Sequence, residues 1–191
     1  MKTIREIAAR LRLNWMLKKY HSYPINLPHD MVNAERLLVC LPEGQRELTM
    51  IRQFLPDLSQ VFYGSEIFLM ASPGSPVYDI FPRKGYRIVT PTSKNVCWSG
   101  LAHRSYIEEL KKNKYGMILD LNLRSNYFAR SILLSFPRAV RIGQGDGSGL
   151  PYYNVEIKTR FIRDEKNIYK SIIETIENLK SSSVASLDEV R

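Results

Sequence analysis

The segment KYGMILDLNLRS, Lys114–Ser125, decides the fold class of this chain. A short apolar run leads directly to Asp120 and Asn122, and an apolar helical pattern then extends over residues 124–136. A buried parallel strand that feeds polar groups into the start of a helix produces this order of residues. In open α/β sheets, ligands bind at the carboxyl ends of the strands. The segment therefore predicts a parallel sheet and the edge at which its chemistry lies.

Strand-like and helix-like segments alternate on both sides of this segment. Short apolar runs predict the strands, and periodic apolar stripes predict the helices. The predicted strands cover residues 37–41, 67–70, 86–89, 115–121 and 138–142, and the predicted helices cover residues 2–20, 45–61, 101–112, 124–136 and 164–180. Alternation of this kind builds right-handed βαβ units. We therefore expect an α/β fold, a Rossmann-like parallel sheet with helices on both faces.

The chain divides into three parts by pattern. Residues 1–34 form an amphipathic basic helix and a connector, residues 35–180 form the α/β domain, and residues 181–191, which lack periodicity, form a flexible tail. No apolar run approaches the roughly 20 residues of a membrane span, and arginines interrupt the N-terminal segment where a signal peptide would be apolar. Two cysteines without metal-ligand spacing indicate a reducing, cytoplasmic location.

The charge balance favours acidic partners. The formal net charge is +9 and the pI is about 9.6, which suits anionic lipid, phosphorylated sugars or nucleic acid. A nucleic-acid partner is not expected, because the chain lacks interleaved aromatic and basic residues on a strand and lacks a recognition-helix pattern.

The first predicted helix is apolar on two faces. One face carries Ile4, Ile7, Ala8, Leu11 and Trp15, and the opposite side carries Leu13, Met16 and Tyr20. Two interpretations follow. The helix packs on the domain as an extra element, or it is an interfacial helix that binds anionic lipid or a partner at the surface of a membrane.

The loop after the first predicted strand is one candidate site. In a doubly wound domain this loop and the next helix N-terminus face the ligand edge. Glu43 or Glu47 could serve as a general base, and Arg46 could hold an anion. Alternatively, the two glutamates only favour the positive end of the helix dipole.

The end of the fourth predicted strand is the second candidate site. Asp120 and Asn122 are expected to face the cleft, and Arg124 with Ser125 forms an anion-binding pair at the start of a helix. The alternative for this pair is helix capping by the serine and a solvated arginine.

The sequence predicts neither a metal nor a cofactor. His21, His29 and His103 are separated from one another and from acidic or cysteine clusters. The glycine-rich stretch at residues 142–149 leads into Leu150-Pro151 rather than into an apolar helix, so it is predicted to be a flexible surface loop and not a phosphate loop.

Several segments together resemble glycosyltransferase family 9, the ADP-heptose:lipopolysaccharide heptosyltransferases. The resemblance rests on KKNKYGMILDLNLRSNYFARSILLSF at residues 111–136, PRAVRIG at residues 137–143 and RLLVCLPEGQRELTMIRQFLP at residues 36–56. Tyr153-Asn154 and the closing helix at residues 164–180 are similar to the end of the family's N-terminal domain. The resemblance covers about residues 35–180.

This resemblance implies one half of a GT-B architecture. Such enzymes have two Rossmann-like domains, of which the N-terminal one receives a phosphorylated lipopolysaccharide core and the C-terminal one binds the nucleotide sugar. The chain resembles a single GT-B-type N-terminal half domain and stops where that domain ends.

The resemblance also bears on catalysis. The family has a Gly-Asp pair whose Asp is the proposed general base, and an ungapped match places Gln45-Arg46 there. Only a one-residue shift brings Glu47 into that role. The resemblance thus implies a non-catalytic or partner-dependent module of cell-envelope polysaccharide synthesis that binds an anionic glycan, a glycolipid or a protein partner. The alternative is an active glycosyltransferase completed by another chain or by dimerisation, in which Glu47 or Asp120 acts as the base.

Overall fold

The structure is a computed structural model, which describes residues 2–81, 85–144, 147, 149–161 and 163–188. Within these residues the strands are β1 (Arg36–Cys40), β2 (Glu66–Met70), β3 (Arg87–Val89), β4 (Met117–Asp120), β5 (Val140–Gln144) and β6 (Val155–Ile157). They form one parallel sheet in the order β3-β2-β1-β4-β5-β6. The chain therefore changes its direction of winding between β1 and β4, which are neighbours in the sheet.

Helices connect and cover the strands. The α-helices in the described residues are α1 (Lys2–Lys18), α2 (Leu27–Val32), α3 (Gln45–Val61), α4 (Val77–Ile80), α5 (Arg104–Lys111), α6 (Tyr127–Ser135) and α7 (Glu165–Asp188). The bounds predicted for α3 are confirmed. Its apolar positions Leu48, Ile51, Leu55 and Leu58 lie on one face and are buried, because residues three and four apart share a helix face.

The sheet separates two apolar cores. Successive strand residues point to opposite faces, so Leu37 and Val39 pack with α2, α3, α4 and α7, whereas Leu38 and Cys40 pack with α1, α5 and α6. Because both faces are covered, the central strands are mostly apolar, and their buried polar exceptions are Asp120 of β4 and Arg141 of β5. The predicted fold class, a Rossmann-like parallel sheet with helices on both faces, is confirmed.

Two short elements lie where the sequence predicted connections. Helix α2 occupies part of the predicted connector, and its proline at position 28 stands in the first turn, where a missing backbone N–H costs nothing. Strand β6 has three residues, too few for a periodic pattern, and depends on its pairing with β5.

Two predicted helix boundaries are corrected. Helix α6 begins at Tyr127 rather than at Arg124, because the side chain of Asn126 accepts the backbone N–H of Ala129 and caps the helix there. Helix α7 continues past Lys180 to Asp188, since no glycine or proline follows Lys180 to end it. Residues 189–191 lie outside the described part of the chain, and the flexibility of the tail stays a prediction.

Helix α1 packs on the sheet through the second of its two apolar faces. Ala9 and Leu13 are buried against the core on the α6 side, and Met16 lies at the border of that core. The first face, formed by Ile4, Ile7, Leu11 and Trp15, is exposed. No helix in the described residues is long and apolar enough to cross a membrane.

A fully buried arginine joins the end of this helix to the sheet. Arg141 on β5 donates from Nη1 to the carbonyl of Pro151 (2.7 Å) and from Nη2 to the hydroxyl of Tyr20 (2.6 Å). Its Nε donates to Oδ1 of Asn154 over 3.2 Å. Hydrogen bonds to neutral oxygens replace the water that the guanidinium loses on burial.

Candidate functional site

A cleft of about 580 Å³ opens at the carboxyl ends of β1 and β4. The two loops that follow these strands diverge there, because the chain winds in opposite directions from β1 and from β4. The cleft is lined by Glu6, Pro42, Glu43, Gly44, Glu47, Pro73, Val96, Gly100 and residues 122–128. The ligand edge predicted from the sequence is therefore occupied by an open concave surface.

Carboxylates outnumber cations on the wall of this cleft. Glu6 comes from α1, and Glu43 and Glu47 come from the loop after β1 and from the first turn of α3. Arg124 is the basic residue in the lining, and Asn122, Ser125 and Asn126 add neutral polar groups. Such a wall offers mainly hydrogen-bond acceptors, which suits a ligand rich in hydroxyl groups.

The Glu47 side chain folds back over the start of α3. Gly44 is the N-cap residue, and a methyl group at position 44 would overlap the Glu47 carboxylate. The missing Cβ thus leaves room for the carboxylate beside the helix N-terminus, where the helix dipole stabilises negative charge. Glu47 lines the cleft as a general base would have to, and its catalytic role stays a prediction.

Arg46 lies outside the cleft lining. Its Nε is 3.4 Å from Oε2 of Glu165 on α7, and its side chain is largely exposed. Neighbouring residues on a helix point about 100° apart, and the Arg46 side chain lies beside α7 rather than in the cleft. The anion-binding role predicted for Arg46 has no support from this placement.

Asp120 is buried beneath the cleft instead of facing it. It pairs with Cys40 of β1 and Gly143 of β5 in the sheet, and 2% of its surface is exposed. Burial raises the pKa of its carboxyl above the ordinary value, and hydrogen bonds from Asn122 and Tyr153 act in the opposite direction. The expectation that Asp120 faces the cleft is therefore wrong.

A chain of hydrogen bonds runs from Asp120 towards β2. Asn122 donates from Nδ2 to Oδ1 of Asp120 (2.6 Å), and Asn126 donates to the side-chain oxygens of Asn122 and Ser72 (both 3.2 Å). Ser72 in turn donates to the carbonyl of Leu41 over 3.2 Å. These bonds connect the loops after β1, β2 and β4 and form the floor of the cleft.

Arg124 and Ser125 are exposed and line the cleft, so they are available to a ligand. Asn126, rather than Ser125, caps α6. Helix capping by Ser125 is thus excluded, whereas binding of an anion by Arg124 and Ser125 stays a prediction.

Three residues of the site were not predicted from the sequence. Glu6 was missed because nothing in the pattern of α1 indicates that this helix borders the cleft. Asn126 could have been identified, since an asparagine directly before an apolar helical run is a common N-cap signal. Tyr153 reaches Asp120 only because Gly143 has no side chain, and a methyl group there would overlap the tyrosine ring.

No group of three or more His, Cys, Asp or Glu side chains in the described part of the chain could hold a metal ion. Residues 145, 146 and 148 of the predicted glycine-rich surface loop lie outside that part.

Comparison with solved structures identifies the type of fold. The chain is similar to the E. coli heptosyltransferase WaaC with ADP, with a TM-score of 0.56 over 73% of this chain and 46% of that chain. This chain has a glycosyltransferase-like fold. At 12% sequence identity the similarity shows the fold alone, and the match spans less than half of the heptosyltransferase chain. No protein-family model and no curated protein matches this sequence.

Proposed function

We propose that this glycosyltransferase-like module binds the acceptor side of a sugar-transfer reaction and is not a complete enzyme by itself. The proposed ligand is a phosphorylated glycan or glycolipid of cell-envelope polysaccharide synthesis. We propose that binding takes place in the cytoplasm. The observation that carries this proposal is the cleft at the β1–β4 switch point, which is lined by three carboxylates and by Arg124.

Different lining residues are suited to contact different parts of the ligand. Glu43 and Glu47 accept hydrogen bonds from sugar hydroxyls, and Asn122 and Ser125 can both donate and accept. Pro73 and Val96, which are half-buried, offer apolar surface to the C–H face of a sugar ring. A phosphate on the ligand contacts Arg124, because a guanidinium matches phosphate oxygens in a bidentate arrangement.

The residue at the position of the expected general base supports a binding role for the module rather than a catalytic one. Arg46 occupies the position at which the resembled family has its Asp, and a guanidinium is not deprotonated in proteins and cannot accept a proton. Its side chain lies beside Glu165 of α7, outside the cleft lining. We propose that a second domain or a second chain supplies the nucleotide-sugar side of the reaction.

One observation favours the second candidate function, an active glycosyltransferase completed by a protein partner or a second copy. The Glu47 carboxylate lies in the cleft beside Glu43. A carboxylate within hydrogen-bond reach of an acceptor hydroxyl can remove its proton as the sugar is transferred. In that case Glu47 is the catalytic base and Glu43 only orients the ligand.

Calorimetric titration with a phosphorylated lipopolysaccharide-core fragment tests the binding proposal. Arg124→Ala should weaken binding at least tenfold, because it removes a charge-assisted contact worth about 1.5–3 kcal/mol. Arg46→Ala is the matched control, since it removes the same charge from outside the cleft and should leave affinity within twofold. Unchanged affinity in Arg124→Ala, or an equal loss in both variants, would contradict the proposal.

A transfer assay separates the two candidates. The chain is incubated with ADP-heptose and other nucleotide sugars, alone and with co-purified partners. Turnover that falls at least 100-fold in Glu47→Gln but only a few-fold in Glu43→Gln would establish the enzyme. Absence of both turnover and nucleotide-sugar binding would exclude it.

A further inference from the structure

The exposed face of α1 forms a continuous apolar stripe. It consists of Ile4, Ile7, Leu11 and Trp15, whose exposed fractions range from 54% to 66%, and we call it the outer stripe. The spacing of three and four residues places all four side chains on one face of the helix, opposite the buried Ala9 and Leu13. Large side chains exposed in a row usually mark an interaction surface.

Basic side chains border the outer stripe on both sides. Arg5, Arg12 and Lys19 follow one border, and Arg10 lies on the other. The arginines donate to neutral groups: Arg5 to the carbonyl of Trp98 (3.0 Å), Arg10 to the hydroxyl of Tyr127 (3.0 Å) and Arg12 to the sulfur of Cys97 (3.7 Å). These bonds fix the positions of the side chains, and none of the three acceptors carries a formal negative charge, although Glu6 lies one turn from Arg10.

We propose that the outer stripe inserts into the headgroup region of an anionic lipid bilayer, with α1 lying parallel to the membrane surface. An interfacial helix carries apolar residues on the face that enters the lipid and cations along the borders of that face, as α1 does. The inference does not depend on what the cleft binds. It concerns attachment to one surface of a membrane, since no helix of the described chain could span one.

The contact between Lys19 and Trp15 suits this location. Nζ of Lys19 lies 3.7 Å from the centre of the Trp15 ring. Tryptophan favours the membrane–water interface, where its ring is apolar and its N–H remains near water. Lysine can extend its charged end towards lipid phosphates while its methylenes cover the ring.

Charge and area disfavour a second copy of the chain as the occupant. Two copies that met along the outer stripe would bring their basic borders together, and like charges in contact oppose association. The four side chains also expose on the order of 400 Å², about half of what each partner buries in a standard protein interface.

Vesicle co-sedimentation of the whole chain tests the proposal. The probes are vesicles of phosphatidylcholine alone and of phosphatidylcholine with 30% phosphatidylglycerol. We expect binding to the anionic vesicles only, and weaker binding as the salt concentration rises. The double variant Ile7→Ser/Leu11→Ser should lower the partition coefficient at least tenfold.

Tyr63→Ser is the matched control for loss of an exposed apolar side chain. Tyr63 is 90% exposed and follows α3, which covers the opposite face of the sheet from α1, so binding should not change. Circular dichroism verifies that every variant is folded. In a Trp98→Phe background, Trp15 is the single tryptophan, and its emission should shift to shorter wavelength with anionic vesicles.

Other results would overturn the proposal. They are absence of binding to anionic vesicles, equal binding to neutral vesicles, or an equal loss of binding in Tyr63→Ser. Sedimentation equilibrium provides the remaining test: a dimer that Ile7→Ser/Leu11→Ser dissociates would assign the outer stripe to a second copy of the chain.

Discussion

The hydroxyl of Tyr153 donates a buried hydrogen bond of 2.8 Å to Oδ2 of Asp120, beneath the floor of the cleft. The two residues are 33 positions apart in the sequence. Gly143, the neighbour of Asp120 in β5, leaves the space through which the tyrosine ring approaches. The cleft floor therefore depends on a contact that reaches it from the opposite side of β5.

Tyr153→Phe should destabilise the fold by about 1–3 kcal/mol at neutral pH, because the buried Asp120 carboxylate loses a donor. Urea unfolding followed by circular dichroism measures this free energy. Tyr63→Phe, at an exposed position, should change it by less than about 0.5 kcal/mol. A loss of equal size in both variants would show that the Tyr153 hydrogen bond contributes nothing specific.

Asp120→Asn should change how stability depends on pH. Burial raises the pKa of Asp120 in the folded protein, so the folded state keeps its proton at a pH where the unfolded chain has lost it. The native aspartate therefore contributes stability below its ordinary pKa, and that contribution is lost as the pH rises through the folded-state pKa. The stability of Asp120→Asn relative to the native protein should rise over this window and then level off.

Urea unfolding at a series of pH values from 4 to 8 checks the Asp120→Asn prediction. Asp57→Asn, which alters an exposed carboxylate on α3, serves as its control, and an equal rise in both variants would contradict the prediction. If the stability difference between Asp120→Asn and the native protein is independent of pH, the carboxylate does not carry the linkage.

Gly143→Ala should destabilise the fold by about 2 kcal/mol or more, because the new methyl group overlaps the Tyr153 ring. Gly44→Ala is a useful comparison. Its new methyl group would meet only the end of the flexible Glu47 side chain, which can move. The expected loss of folding stability is therefore about 1 kcal/mol or less. A double-mutant cycle with Tyr153→Ala tests the cause: the cost of Gly143→Ala should fall once the ring is gone.

Tyr20→Phe should loosen α1 from the sheet. The variant removes the hydroxyl that accepts a 2.6 Å hydrogen bond from the buried Arg141, at an expected cost of about 1–3 kcal/mol. Hydrogen exchange should become faster in α1, while α3, on the other face of the sheet, keeps its protection. Tyr23→Phe, at an exposed position outside α1, should leave both unchanged.

The sequence predicted the central fold well because its signals are local. Each of the strands β1, β2 and β4 is an apolar run bounded by polar residues, and α3 has an unbroken apolar stripe. Strand β6 carries no such signal, since three residues that pair with β5 look like a loop. Which face of α1 is buried could not be decided either, because both faces are apolar and only the packed sheet distinguishes them.

The candidate site was predicted in position and only partly in composition. The loop after β1 and the loop after β4 do meet in one cleft, with Glu47, Asn122, Arg124 and Ser125 in its lining. Asp120 could not be excluded from that lining by sequence, since its burial depends on Tyr153 and Gly143.

The cleft differs in sign of charge from the molecule around it. The chain carries a net charge of +9, whereas the cleft wall has three carboxylates and one guanidinium. Outside the cleft the positive surface attracts polyanions, and within about 8 Å of the wall, the Debye length at physiological salt, the carboxylates repel them. A polyanion attracted to the basic surface is therefore not expected to occupy the cleft. A neutral sugar with a single phosphate would still bind in the cleft, because Arg124 can pair with that one phosphate.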